Sequence, residues 1–378
     1  MTSAYIVDFL RSPFTPGFKG ALAGVRPDIL AGEVIGQLVA RTGVDPAAIE
    51  DVILGCAFPE GEQGLNIGRC AVLQAGLPLS VSGATINRWC GSSMQAVQMA
   101  GGAIAMGAGE VFVAGGVESM TRVPMMGFNP MPNPAWDSAQ STAFLNMGMT
   151  AENLASRYGV ARQAQDEYAA MSQARAAEAQ SRGRLADEVA PITADGATVE
   201  ADGCIRAGTT AEKLGTLRTA FLADGTVTAG NASPFTDGAS AVLVCSEAAL
   251  RRYNLKPKAR IAGFAVSGCA PEIMGIGPVE ATRKALARAG ISAGQLDIIE
   301  MNEAFAVQVL ACCQDLDIAP ERLNRDGGAI AIGHPLGATG ARLVGKAASL
   351  LGRDGGRYAL ATQCIGGGQG IAMVLEAA

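Results

Sequence analysis

Cys90 stands in the segment Ile86-Asn87-Arg88-Trp89-Cys90-Gly91-Ser92-Ser93-Met94-Gln95-Ala96, where a tight turn runs into a helix of small residues. A thiol at the first turn of a helix meets unpaired N–H groups and the positive end of the helix dipole, so the position predicts a lowered pKa and an accessible thiolate nucleophile. Cysteine is also a common core residue, and simple burial is the plainer account of this segment taken alone. The second segment, Gly327-Gly328-Ala329-Ile330-Ala331-Ile332-Gly333-His334-Pro335-Leu336-Gly337, holds the only histidine of the chain. Glycines around it let a ligand approach the backbone, and Pro335 suits the start of a helix. Any mechanism that needs an imidazole must be built on His334, and a zinc site with two histidines is excluded. Two further segments matter. Met301-Asn302-Glu303-Ala304-Phe305-Ala306 places Asn-Glu at the carboxyl end of an apolar strand, where Asn also serves as an ordinary cap. Cys364-Ile365-Gly366-Gly367-Gly368-Gln369-Gly370 sets a second thiol before a turn able to present several N–H donors. Cys56, Cys70, Cys204, Cys245, Cys269, Cys312 and Cys313 have no comparable setting and read as core or surface thiols.

The elements that position these residues repeat along the chain. Residues 40–54, ARTGVDPAAIEDVIL, resemble residues 287–300, ARAGISAGQLDIIE, once one position is skipped. Asn87-Arg88 recurs as Asn324-Arg325, and the strand-like run Glu110 to Gly116 matches Arg357 to Gln363. Landmarks repeated in one order predict a duplicated α/β unit in layers, with halves at 1–118 and 245–378. Apolar strands without polar alternation predict parallel pairing under helices on both faces. Residues 119–244 differ in character, with a Met-, Pro- and Asn-rich stretch, a charged helix near Thr150–Arg184 and then turns. They predict an inserted loop or cap domain, the usual place for ligand selectivity. Duplication brings equivalent loops together at the carboxyl ends of strands, so the Cys90 and His334 turns are expected to meet.

Composition bounds the partners. With 378 residues, half of them apolar, and a net charge of −6, the chain reads as an α/β enzyme rather than a nucleic-acid binder. No apolar run approaches the roughly 18 residues that cross a bilayer, and the N-terminus lacks the pattern of a signal peptide. Nine cysteines at irregular spacings suit a reducing compartment, so a cytoplasmic protein is expected.

Together, NRWCGSSMQA, NEAFA, GGAIAIGHPLGATGAR and CIGGGQG, in this order and spacing, resemble the thiolase family. The resemblance extends over essentially the whole chain through AGGVESM at 114–120, MGMTAENLA at 147–155, GTVTAGNASPFTDGA at 225–239 and MGIGPVEA at 274–281. It implies the duplicated, layered thiolase-like fold and thiolytic cleavage of 3-ketoacyl-CoA, with coenzyme A as co-substrate and no metal or other cofactor. On that resemblance Cys90 accepts the acyl group, His334 activates it and polarises a thioester oxygen, and Cys364 moves the proton on carbon. Asn302 would hold a water that joins His334 in one oxyanion site, while the backbone N–H groups of Cys90 and Gly366 form the other. Ser233 and Ala229, in the AGNAS segment, would contact coenzyme A, with Met147 near the pantetheine arm. A homodimer or homotetramer is implied, and by analogy alone a β-oxidation multienzyme partner. The chemistry itself asks for such a cast. Removing a proton from a thioester methyl creates an enolate, so donors must be aimed at charge absent from the ground state, and a thiol near pKa 8.5 is tunable as the acid–base on carbon.

Asn146 stands where thiolases that form acetoacetyl-CoA resemble one another in carrying histidine, so the segment looks like the degradative 3-ketoacyl-CoA type. Asp326 occupies a place where a neutral residue such as Asn is expected. The alternatives are an acetoacetyl-CoA-forming acetyltransferase, a decarboxylating ketoacyl synthase, and a non-catalytic acyl-CoA or lipid carrier. Cys364 speaks against the synthase, whose carbanion comes from loss of carbon dioxide. Fatty, steroid side-chain and aromatic acyl groups all fit the sequence, because selectivity is expected from the inserted region 119–244, with its Pro- and Met-rich stretch 123–136.

Overall fold

The β-branched and small apolar runs become strands, and the computed structural model, which describes residues 2–378, joins most of them in one mixed sheet. These strands are β1 (Ala4–Arg11), β2 (Thr15–Pro16), β3 (Asp51–Gly55), β4 (Ser82–Ile86), β5 (Val111–Ser119), β8 (Thr236–Ser246), β9 (Ala259–Gly268), β10 (Ile298–Met301), β11 (Tyr358–Ile365) and β12 (Gln369–Ala377). β6 (Ile192–Ala194) and β7 (Ala197–Val199) form a separate hairpin. The order β4-β3-β5-β8-β1-β9-β12-β11-β10 reads the same from either end once the duplicated strands are matched. β3 corresponds to β10, β5 to β11, β8 to β12 and β1 to β9. Even β4 has a remnant counterpart, the single parallel bridge between Ile299 and Leu323.

The sheet is not all parallel. β3 runs parallel to β4 and β5, and β10 to β11, but β8 and β12 reverse direction against β5 and β11, and β1 pairs antiparallel with β9. The cause at β11–β12 is the Gly366-Gly367-Gly368 turn, where φ is 71° and 80° at the last two residues. Such a short reversal can only join antiparallel neighbours.

The helices are α1 (Pro27–Thr42), α2 (Ile67–Gln74), α3 (Ser92–Met106), α4 (Ser138–Ser141), α5 (Met147–Tyr158), α6 (Arg162–Ser181), α7 (Ala211–Gly215), α8 (Glu247–Arg252), α9 (Gly277–Ala289), α10 (Ala306–Leu316), α11 (Ala329–Ile332) and α12 (Leu336–Asp354). The charged helix expected over 150–184 is two helices, because Gly159 takes φ 64° and ends α5 with a left-handed cap. Alternation along the strands sorts side chains into layers. Leu54, Val113 and Leu243 face α1 and α2, whereas Ile53, Ala114 and Val242 face α3 and α12. Ala359, Ala361 and Met373 of the second half press on α3 and α12 from the other side, and Leu360, Ala372 and Val374 cover α9 and α10. The two halves of the sheet therefore enclose the pair α3 and α12, with further helices outside each.

Buried charge ties the inserted region to this centre. Arg11 meets Asp202 at 2.6 Å and Glu188 at 2.8 Å, and Lys346 of α12 lies 2.8 Å from both Glu188 and Asp326. Burial pushes the Glu188 carboxyl up, but Lys346, Arg11 and Arg342 outweigh it and hold the group at about 2. At Asp326, where a neutral residue was expected, burial pushes the carboxyl up but Arg353 and Lys346 outweigh it and hold the group at about 2. Removing one partner of such a set strands a charge and is strongly destabilising.

Tight layers need small residues on α12. A methyl on Gly345 would sit 2.1 Å from Cγ of Phe9 in β1, whereas Gly352 on the same helix has open space around its missing side chain. Gly345→Ala is therefore expected to lower stability by about 1–3 kcal/mol through overpacking, while Gly352→Ala raises it by roughly 0.4–1 kcal/mol. Denaturant melts of the two variants test this; equal midpoints would show that the layers do not pack as closely as described.

Candidate active site

Trp89, just before Cys90, has φ 43°, a left-handed conformation that costs a bulky residue roughly 1–2 kcal/mol. The surrounding hydrogen bonds impose it. The Trp89 N–H donates to Asn87 Oδ1 at 2.7 Å, Asn87 Nδ2 donates to the Ala57 carbonyl at 3.0 Å, and Ser92 Oγ donates to the Trp89 carbonyl at 2.6 Å. The consequence is an elbow, Trp89–Gly91, with Cys90 at its centre. There it packs on Ala57, Met120 and Leu336, with Phe58 and Trp89 alongside. Gln363 Nε2 donates to the Cys90 carbonyl, which fastens the elbow to the end of β11.

The backbone N–H groups of Gly366 and Cys90 both favour the Cys90 thiolate. They lower its pKa, but burial outweighs them and the negative charge of Glu118 adds to it, so the thiol is pushed up to about 11. The lowered pKa expected from the helix start is thus reversed. Removal from water acts on the whole thiolate charge, whereas the dipole supplies only a partial one. Cys364, buried at the end of β11, is raised well above the usual thiol range by burial and by its nearness to Cys90.

His334 lies between α11 and α12 and is buried. Its Nδ1 is 2.7 Å from Thr339 Oγ1, and that hydroxyl donates its one hydrogen to the Pro335 carbonyl at 2.9 Å. The hydroxyl can therefore only accept from the ring, so the proton sits on Nδ1 and Nε2 is left as a base. Burial drops the ring to about 4, which keeps it neutral at physiological pH. Asn302 Nδ2 reaches Nε2 at 3.2 Å. The amide comes this close because the Asn302 N–H donates to the Thr362 carbonyl at 2.9 Å, which holds the end of β10 against β11.

Two buried carboxylates fix the histidine loop, and neither was singled out in the sequence as functional. Glu303 accepts from Tyr168 and Ser172 of α6 at 2.9 and 2.6 Å, from Asn324 Nδ2 at 2.7 Å and from the Ile330 N–H at 3.1 Å. Glu118 accepts from the N–H groups of Ala57, Phe58 and Gly337 at 2.8, 3.2 and 2.8 Å and from Gln63 Nε2 at 2.9 Å. A charged residue at the end of an apolar strand, in GGVESM and in EMNEAF, is the signal that identifies both.

The remaining expected residues lie around this centre. Met147 begins α5, and its sulfur would be 3.5 Å from a methyl placed on Gly366. Ser233 is half-buried, with its N–H on the Ala304 carbonyl at 3.0 Å. Ala229 is exposed, in a turn anchored by Asn231, whose Nδ2 donates to Asp166 at 2.9 Å. Asn146 caps α5 by accepting from the Gly148 N–H at 2.9 Å. A cavity of about 690 Å³ near Asp8, Lys258 and Lys346 is lined by none of the residues expected to act.

Residues 4–248 match the family model of the thiolase N-terminal domain, and residues 255–377 that of the thiolase C-terminal domain. The chain is 44% identical to a beta-ketoadipyl-CoA thiolase of Acinetobacter baylyi and 45% identical to a 3-ketoacyl-CoA thiolase of Colwellia psychrerythraea, each covered in full along with this chain. The fold matches that of human mitochondrial 3-ketoacyl-CoA thiolase, solved in complex with CoA, with a TM-score of 0.93 at 38% identity, covering 100% of this chain and 98% of that one.

A thiol held near 11 beside a neutral imidazole sets the pH dependence of alkylation. Between about pH 6 and 10, the rate at which iodoacetamide modifies Cys90 is expected to rise about tenfold per pH unit, because each unit multiplies the thiolate fraction by ten. Peptide mapping after short exposures measures it. A plateau with a midpoint at or below pH 7 would mean that a thiolate–imidazolium pair forms in the resting protein.

Proposed function

The chain belongs to the thiolase family, and we propose that it cleaves 3-ketoacyl-CoA with coenzyme A to acetyl-CoA and a shortened acyl-CoA, through an acyl group carried on Cys90. The observation that carries this reading is two thiols near enough for their charges to interact, Cys90 and Cys364, with Cys90 packed on Leu336 two residues after His334, whose Nε2 is a base that accepts from Asn302.

Each proton then has a place. Cys90 sulfur attacks the ketone carbon while its proton passes to His334 Nε2, and the new alkoxide is met by donors held ready for it. When the alkoxide collapses, the carbon–carbon bond breaks, the acyl group stays on sulfur, and the acetyl-CoA enolate leaves. Its carbon takes the proton of Cys364, a thiol whose raised pKa keeps that proton in place until a strong base appears. The Cys364 thiolate next takes the proton of incoming coenzyme A. The coenzyme A thiolate attacks the acyl-Cys90 carbonyl, and the departing Cys90 sulfur recovers its proton from His334. Two carbonyl oxygens carry charge at different stages. The backbone N–H groups of Cys90 and Gly366 serve one, and protonated Nε2 with a water held by Asn302 serves the other. Met147, Ser233 and Ala229 are assigned to coenzyme A, with Met147 on the side of the site where α5 meets Gly366. What separates the names of the similar proteins is the tail beyond the ketone, one name specifying adipyl and the other leaving it general.

We also propose that the chain pairs with a second copy through β4. This strand ends the sheet order with one side unpaired, and Leu65 and Leu79 beside it are 94% and 78% exposed. Sedimentation at micromolar concentration is expected to show a dimer or a dimer of dimers; a dominant 38.4 kDa species rules the pairing out. A place in cytoplasmic fatty-acid β-oxidation is supported by the nine free thiols and the named relatives.

The division of labour between the cysteines is testable. Cys364→Ala should retain acyl transfer from acyl-CoA onto Cys90 but lose deuterium uptake into the acetyl-CoA methyl in heavy water by roughly 10²–10⁴-fold. Cys90→Ala should lose the covalent adduct seen by mass spectrometry. Methyl exchange at the wild-type rate in Cys364→Ala would transfer that role to His334.

A further inference from the structure

We infer that the acyl group accepted by this site is an uncharged, apolar tail, and that tails ending in a carboxylate are rejected. This rests on the proposed acyl-Cys90 intermediate and concerns what lies beyond its carbonyl. Three observations point the same way.

The wall against which Cys90 packs is apolar. Ala57, Met120 and Leu336 are buried there, with Phe58 and Trp89 at their edge. An acyl chain leaving the Cys90 sulfur on this side meets methyl, thioether and ring surface. Each added methylene that stays on such a wall is worth about fourfold in binding. A carboxylate on a short tether would be drawn into the same wall and lose its water without gaining a donor.

The charge nearest this wall has the wrong sign for an anion. Glu118 accepts from the N–H groups of Ala57 and Phe58, and its negative charge reaches Cys90 strongly enough to oppose ionisation of that thiol. The same field opposes a second carboxylate beside it. Of the cations around the site, one is paired with a carboxylate, one is held by neutral amides and one is in water. Arg122 is bound by Glu62 through Nε and, at 2.7 Å, through Nη2. Arg88 donates from Nε to Gln95 at 2.9 Å and from Nη1 to Gln369 at 3.0 Å, on the β12 side of the elbow. Lys19 is exposed, one residue from Phe18, whose N–H rests on Thr121.

The apolar surface continues outward. Residues 123–136 contain no charged side chain, and they are docked beside Phe58 through the Phe128 N–H, which donates to Glu60 at 2.6 Å. This stretch leaves Met125, Met126 and Phe128 exposed in a protein whose other large apolar side chains are mostly covered. Methionine in such a position adapts to apolar groups of varied shape.

The test compares 3-ketooctanoyl-CoA, 3-ketohexanoyl-CoA and 3-ketoadipyl-CoA as substrates of the full chain, with formation of acetyl-Cys90 from acetyl-CoA followed separately by mass spectrometry. The expected result is a kcat/KM for 3-ketoadipyl-CoA at least about 10²-fold below that for the neutral octanoyl substrate. Phe58→Arg, which adds a cation at a half-exposed place on the wall, is expected to narrow the ratio by about tenfold or more. A wild-type ratio near one, or a preference for 3-ketoadipyl-CoA that Lys19→Ala removes, overturns the inference. So does acetylation of Cys90 without cleavage of either neutral substrate. Failure to form acetyl-Cys90 at all overturns the reading of Cys90 on which the inference rests.

Discussion

Two carboxylates withheld from water hold the one histidine in place. Glu303 binds the loop that leads into His334, through the Ile330 N–H and the side chain of Asn324, and Glu118 binds the helix that follows it, through the Gly337 N–H. The donors they satisfy come from several parts of the chain: α6, the segment after β3, the loop before α11, α11 itself and the start of α12. Hydrogen bonds to a charged group contribute roughly 1.5–3 kcal/mol each, and loss of either carboxylate would orphan several buried donors together. The ring therefore needs no support from its own neighbours beyond Thr339. It is aimed by parts of the molecule that fold onto it from both halves and from the insertion, so its geometry depends on the whole fold being complete.

These anchors also explain the electrostatic state of the site. Cys90 near 11, Cys364 above the usual range and His334 near 4 describe three uncharged groups at neutral pH. Burial is the first cause in each case. Charge is created only when substrate supplies an oxygen to receive it, next to donors whose orientation was fixed during folding. A resting thiolate would instead offer its charge to any electrophile or oxidant in the cell.

Much of this was legible in the sequence, for physical reasons that can be traced to particular residues. The segments around Cys90, His334, Asn302 and Cys364 were identifiable because each puts a reactive or polar residue at the end of an apolar run; the structure sets Asn302 against His334 and Cys364 near Cys90. The duplication was visible because Asn87-Arg88 and Asn324-Arg325 keep their place relative to strands that match. What stayed hidden was set by contacts distant in the chain. The direction of the Cys90 shift depends on burial and on Glu118, not on the local helix start. The antiparallel centre of the sheet follows from a three-glycine turn that alone says nothing of strand direction. Asp326 looked anomalous only because its cations, Lys346 and Arg353, lie a helix away.

The remnant bridge at Leu323 gives the duplicated sheet unequal ends. At the β10 end the next segment folds back, with the Asn324 N–H on the Ile299 carbonyl at 2.9 Å and the Met301 N–H on Asn324 Oδ1 at 2.9 Å, so that edge is sealed from within. At the β4 end nothing comparable follows. A sheet with two open ends can add copies without limit, as in a fibre, whereas one with a single open end is a connector with one socket. Pairing through the open edge alone could therefore join no more than two copies.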